Sequence, residues 1–220
     1  MGLILKPLED AGIRGVHMTS GNGAVRRCHP IYATFVGDYP EQCLVAGIKN
    51  GECPSCTVAH DDLGDLDAML EPRRLEDILE ALDSISQGGT AFTKACKLAG
   101  IKPIQHPFWE FLPYVNIYQC IAPDILHQVL NGVMKHLITW IKAAIGEAEI
   151  DARCRHFPPN HHIRLFMKGI CNLSRVTGTE HDQICRFLLG LVVGTQLPNN
   201  LSPARLICAV RSLLDFLYLA

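Results

Sequence analysis

Cys53-Pro54-Ser55-Cys56 places two thiols two residues apart, just after Asn50-Gly51. Paired thiolates at that spacing form the knuckle that holds half of a tetrahedral Zn²⁺ site, the other two donors coming from elsewhere. His60 is a candidate third donor, set against the plainer reading of a loop histidine. A thiol oxidoreductase could use the same spacing. It would need a helix starting at the first cysteine to depress its pKa, and Thr57–Gly64 shows no helical period, so zinc ranks above redox. Two ordinary cysteines in a turn are the third reading. Asp38 follows the apolar run Pro30–Val36, which reads as a strand buried on both faces. A carboxylate there points into the crevice at the strand's C-terminal end, where sheets build sites. On the residues alone, a cap for the Tyr39-Pro40 turn ranks ahead. Asp124-Ile125-Leu126-His127 puts a carboxylate and an imidazole on one helix face, and the residues favour an N-terminal cap beside a packed histidine. Cys28-His29 and Glu180-His181-Asp182 are metal-competent in composition only. No glycine-rich phosphate loop, nucleophile elbow or Ser/His/Asp signature is present.

The 220 residues that must position these groups can bury a real core. Apolar residues make up 48%, charged residues 19%, and the mean hydropathy is +0.15, which excludes intrinsic disorder. The net charge of −2 advertises no global basic field, yet it conceals two opposite segments. Asp61–Asp83 carries a local −7. Residues 152–178 carry Arg153, Arg155, Arg164, Lys168 and Arg175 with no acid, which suits DNA phosphates or, more plainly, a solvated face. Ten cysteines without a signal peptide indicate a reducing compartment, with thiols outside the Cys53/Cys56 pair buried rather than disulfide-bonded. The longest uncharged apolar stretch, Phe187–Leu197, is too short to span a bilayer.

The elements divide in two. A helix over Leu3–Asp10, stopped by Gly12 and Gly15, precedes a hairpin of Val16–Thr19 and Ala24–Cys28 around Ser20-Gly21-Asn22-Gly23. From about residue 70 the periodicity is helical. Helices are expected from Pro72 to Ile85, over Thr90–Leu98, and from Asp124 to Ile145, the last apolar around most of its girth and so central to a bundle. Others fall at about 147–156, 162–173, 179–195 and 202–220. The fold class is α+β, predominantly α.

In combination, Arg26-Arg27-Cys28-His29-Pro30-Ile31, Gly37-Asp38-Tyr39-Pro40-Glu41-Gln42, Cys53-Pro54-Ser55-Cys56, His106-Pro107-Phe108-Trp109, Pro123-Asp124-Ile125-Leu126-His127 and Leu214–Ala220 resemble Plavaka-type transposases. These belong to the Kyakuja–Dileera–Zisupton group and are related to CACTA elements. The resemblance runs colinearly along the chain. It implies a partial RNase H-like core over residues 1–65, with its strand ending at Asp38, followed by an α-helical insertion over 66–220. It also implies D-D-E catalysis, in which three carboxylates hold two Mg²⁺ ions for strand cleavage and transfer. Asp38 matches the second aspartate, and Cys53 and Cys56 match zinc ligands. Asp124 and His127 match a motif shared with CACTA transposases whose role is undefined. By the same resemblance the first aspartate is expected upstream of Met1. The glutamate and the remaining zinc ligands, a histidine pair, are expected beyond Ala220.

The leading expectation is therefore a fragment of a DNA transposase, inactive alone, nuclear, not membrane-bound, and compatible with a homo-oligomer. Its DNA partners would be transposon ends and target. The second hypothesis is a non-enzymatic DNA- or protein-binding remnant using the basic segment 153–175. The thiol oxidoreductase at Cys53/Cys56 comes third.

Overall fold

The computed structural model describes residues 1–65, 67–68 and 70–219, about 53% of the chain being helical. It divides into two compact units, Met1–Pro123 and Asp124–Ala220. The boundary read between residues 65 and 66 falls inside the first.

In the first unit, α1 (Gly2–Leu5) is followed by α2 (Pro7–Arg14), which ends at Gly15 with φ 72°. Gly12 lies within α2 and does not stop it. Strands β1 (Val16–Thr19) and β2 (Val25–Cys28) form the expected hairpin, Val16 opposite Cys28 and Thr19 opposite Val25. Its turn is held by Asn22, whose Oδ1 accepts from the Ala24 N–H at 3.1 Å. Strand β3 is only Phe35–Gly37, and Val36 is 59% exposed. The strand expected to be buried on both faces is therefore short and open on one. Among the described residues β3 has a single ladder partner, the parallel strand β4 (Ile121–Pro123), and the face that carries Val36 is open. The register is Phe35 with Ile121, Val36 with Ala122 and Gly37 with Pro123.

Helix α3 (Tyr39–Ala46) leaves β3 directly and closes at Gly47 in the left-handed conformation. Helices α4 (Leu75–Asp83), α5 (Gly89–Leu98) and α6 (Ile117–Cys120) complete the unit. The start of α4 falls three residues later than Pro72 predicts. Pro72 is bridged to Cys56, and the Arg73 N–H donates to the Ser55 carbonyl at 3.0 Å, which keeps this segment extended. The core gathers Ile48, Ile78, Phe92, Trp109, Ile117 and Tyr118 around Cys43 and Cys96.

Among the described residues the named elements of the second unit are helices. Ile125–Met134 winds as a π-helix and continues into α7 (Lys135–Ile145), followed by α8 (Glu147–Arg155), α9 (Gly178–Val192) and α10 (Ala204–Leu219). A capping box of Thr177 and Glu180 starts α9. The core is Met134, Leu137, Ile141, Ile150, Ile184, Leu188, Leu191 and Val210, with Phe166 and Ile170 from the connection between α8 and α9.

Two expectations fail in this unit. The 125–145 helix is not buried all round: Val129, Met134, Leu137, Ile138 and Ile141 face the core, but Trp140 is 60% exposed and Ile125 and Leu126 are also open. No helix forms over 162–173. Instead Asp151 of α8 accepts the N–H groups of Ile170 and Cys171 at 2.9 and 3.0 Å, and Gly169 turns at φ 81°. Side-chain capture of backbone donors replaces helical pairing there. The buried thiols are Cys43, Cys96, Cys120, Cys154, Cys171 and Cys185. Cys28, however, is half-buried, and Cys208 is exposed, off the Val210/Leu214/Leu217 stripe of α10. Ala220 lies outside the described residues. Among the described residues, no helix is long and apolar enough to cross a membrane.

Candidate functional site

Asp38 is the N-cap of α3, and its Oδ1 accepts from the Glu41 N–H at 2.8 Å. The capping reading is thus present in the structure, extended from a turn to a full helix with Pro40 in its first turn. Among the described residues Oδ2 accepts no hydrogen bond, and the residue is only half-buried. One oxygen is structural and the other is available, at the C-terminal end of a parallel strand pair. Asp38→Ala should cost about 1 kcal/mol, as N-cap truncations do, while Asp38→Asn keeps the cap within a few tenths. Urea midpoints of the two variants check this.

Sequence reasoning missed the residue that fixes this strand end. Gln42, 5% exposed, donates through Nε2 to the Gly37 carbonyl at 2.7 Å and to the Ala122 carbonyl at 3.3 Å, tying β3 to β4. The signal was present, since a glutamine one helical turn after Asp38 faces the same strand end. Gly37 also permits a close approach, because a Cβ there would stand 2.7 Å from the Phe35 ring and 2.9 Å from Glu41 Oε2.

The cysteine pair is attached to the same helix start. The Tyr39 hydroxyl donates to the Glu52 carbonyl at 3.0 Å and accepts from the Gly51 N–H at 2.7 Å. Burial first, then a hydrogen bond with Cys43, raises the Tyr39 pKa, so the hydroxyl stays protonated. On the other side Arg73, 5% exposed, donates from Nε to the Cys53 carbonyl at 2.8 Å and from Nη1 to the Ala99 carbonyl at 2.9 Å, with Glu52 3.8 Å away. Arg73 was not singled out from the sequence, where it is one of two arginines in an acidic run.

Burial, followed by a hydrogen bond with Cys53, raises the Cys56 pKa. No helix begins at Cys53 among the described residues, so the helix start that the redox reading requires is absent there. His60 Nδ1 lies 2.7 Å from the Gly51 carbonyl. Among the described residues no group of three or more His, Cys, Asp or Glu side chains is placed to hold a metal. Cys53 and Cys56 fit two positions of a tetrahedral zinc site by donor chemistry, and Asp38 fits one carboxylate position of a Mg²⁺ site. Neither set completes its site, although a single open carboxylate oxygen can hold a divalent cation weakly.

In the second unit Asp124 caps the π-helix, accepting from the His127 N–H and approaching His127 Nδ1 at 2.9 Å. Burial would raise the Asp124 pKa, but the His127 hydrogen bonds outweigh it and lower the value. The cap matches expectation. The histidine is not packed as expected, its side chain being 55% exposed, because it turns back onto the carboxylate rather than into the core.

The five basic residues do not form one surface set. Arg153 pairs with Glu149 at 2.7 Å and donates to the Val193 and Gly194 carbonyls at 2.7 and 3.1 Å, capping the end of α9. Arg164 is paired with Glu180 and lies over the Phe166 ring. Arg155, Lys168 and Arg175 are exposed and, among the described residues, make no ion pair.

Residues 1–141 match the family model described as Plavaka transposase. No curated protein and no solved structure matches the chain.

Proposed function

The chain belongs to the Plavaka transposase family, and from that membership we propose that it carries part of an RNase H-like, D-D-E centre for DNA strand cleavage and transfer. Asp38 is its carboxylate contribution. The observation that carries the reading is the placement of Asp38 at the C-terminal end of β3, beside parallel β4, with one carboxylate oxygen engaged in the α3 cap and the other open. The cap fixes the orientation of the open oxygen relative to the strand end, and Gln42 fixes the strands to each other. Mg²⁺ bound there in the family would supply charge stabilisation to the reacting phosphate.

Cys53 and Cys56 are proposed as two zinc donors. Support comes from their shared loop and its anchorage to Tyr39 and Arg73, which hold the pair against the start of α3. DNA, as transposon end and target, is the proposed partner, and the nucleus the proposed place of action. Self-association accords with family membership.

One carboxylate does not hold two metal ions, so the 220 residues alone should not cleave DNA. The test is a nuclease assay on the purified chain with Mg²⁺, with Asp38→Ala as control. No cleavage is expected. Cleavage that depends on Asp38 would overturn the claim of inactivity.

The exposure of Arg155, Lys168 and Arg175 favours a second reading, in which the helical unit holds DNA without chemistry. Three phosphate contacts would give log–log salt slopes of about −2.7. A flat salt response of duplex binding would contradict this reading.

A further inference from the structure

We propose that the second unit contains a built site for a phosphate group carried on an organic body, a nucleotide unit, in the cavity between α7, the start of α9 and the connection preceding α9. This cavity measures about 380 Å³ and is lined by Asn131, Lys135, Thr139, Lys142, Arg175 and His181, together with aliphatic side chains. No carboxylate lines it among the described residues, and three cations face one space. Like charges gathered around a cavity repel one another until an anion enters.

Each polar group has capacity left for a ligand. Among the described residues the Lys135 ammonium and the Arg175 guanidinium have no hydrogen-bond or ion-pair partner. Lys142 uses one of its three donors on the Cys171 carbonyl, at 2.7 Å. His181 is the independent observation that points to an occupant. It is 5% exposed, and its Nδ1 is buried without a hydrogen-bond partner. A buried ring nitrogen left unpaired is costly, and a rotation of the ring that brings Nδ1–H to a phosphoryl oxygen in the cavity would remove the cost. Burial, and after it the Lys135 ammonium, hold the His181 pKa below its ordinary value against the opposing pull of Glu180, so the ring is neutral and able to serve as that donor.

Arg175 adds a backbone argument. It sits at φ 55°, a left-handed conformation that an L-residue holds against its own preference, and its side chain lines the cavity. The volume lies within the range of small-molecule sites and exceeds what a lone phosphate fills, and the aliphatic lining suits a sugar and base. The same chemistry is offered by a free nucleotide and by a nucleotide within a DNA strand.

The experiment uses the full chain labelled with ¹⁵N. The imidazole resonances of His181 are followed while inorganic phosphate, adenosine 5′-monophosphate or a short DNA oligonucleotide is added. The variants Lys135→Met and Arg175→Gly are run in parallel. Both positions are exposed, and glycine accepts φ 55°, so unchanged melting curves will show that folding is intact. The expected result is a saturable His181 shift that each variant weakens by roughly tenfold or more. A shift with the mononucleotide identifies a free ligand, and a shift with the oligonucleotide alone identifies the DNA strand. No His181 shift with any probe at millimolar concentration, or equal affinity in wild type and variants, overturns the proposal. Neither overturning result bears on Asp38, which lies in the other unit.

Discussion

Gly169→Ala should remove most of the stability of the Asp124–Ala220 unit, about 4 kcal/mol or more. Two effects add. The residue stands at φ 81°, and a Cβ there would lie 2.0 Å from the Asp151 carboxylate carbon. Left-handed backbone costs an L-residue about 1–2 kcal/mol. Relieving the clash displaces the carboxylate that accepts from Ile170 and Cys171, each such bond to a charged acceptor contributing about 1.5–3 kcal/mol. Without that anchor the connection carrying Phe166 and Ile170 leaves the core. Urea unfolding followed by circular dichroism checks the expectation, and a loss under about 1 kcal/mol would contradict it.

The same anchor sets an acid limit. Burial acts to raise the Asp151 pKa, but hydrogen bonds from the Cys171 thiol, the Cys171 N–H and the Ile170 N–H outweigh it, and the folded value is lowered. A carboxylate depressed in the folded state contributes stability that is complete above its unfolded value, near 3.9, and lost as pH falls through the folded value. Asp151→Asn should therefore flatten the stability profile below about pH 4, relative to wild type.

Arg73→Ala should cost the first unit about 3–4 kcal/mol. The side chain is 5% exposed, and its removal leaves the Cys53 and Ala99 carbonyls without their donor while opening a void beside Gly100. Glu52, 3.8 Å away, also loses its countercharge. Arg73→Lys should rescue little, since a single ammonium does not reproduce the planar fork that reaches two carbonyls in different directions. Because Arg73 fixes the loop of Cys53 and Cys56, the variant should also speed thiol modification of that pair. Denaturation midpoints and the rate of reaction with an aromatic disulfide reagent check both effects. A change within about 1 kcal/mol and an unchanged rate would contradict the role assigned to Arg73.

Much of the helical scaffold was legible in the sequence. Apolar spacing located α4, α5, α8, α9 and α10 to within a few residues, and the Ser20–Gly23 signal located the hairpin. The misses share a cause: long-range contacts overrode local pattern. Asp151, nineteen residues from Ile170, turned a helical-looking segment into a captured loop. Arg73 and Cys56 held Pro72 out of α4. The run Pro30–Val36 has the composition of a covered strand, but composition does not reveal how many strands pair with it. For the candidate site, Asp38 and the Cys53/Cys56 pair were legible as types at a spacing. The position of Gln42 one turn after Asp38 was legible, but its bond across to Ala122 and the contacts of Arg73 and His181 were not, because their importance lies in which backbone groups or cavities they meet across the fold.

Asp38 is expected to present one carboxylate oxygen to a divalent cation while its other oxygen caps α3. Mn²⁺ added to the ¹⁵N-labelled chain tests this through paramagnetic broadening of amide resonances, with Asp38→Asn as the variant that keeps the cap and removes the charge. Broadening is expected at the amides of Gly37, Asp38, Tyr39 and Glu41, with its loss in Asp38→Asn. Absence of broadening there in the wild type, or equal broadening in the variant, would contradict this expectation.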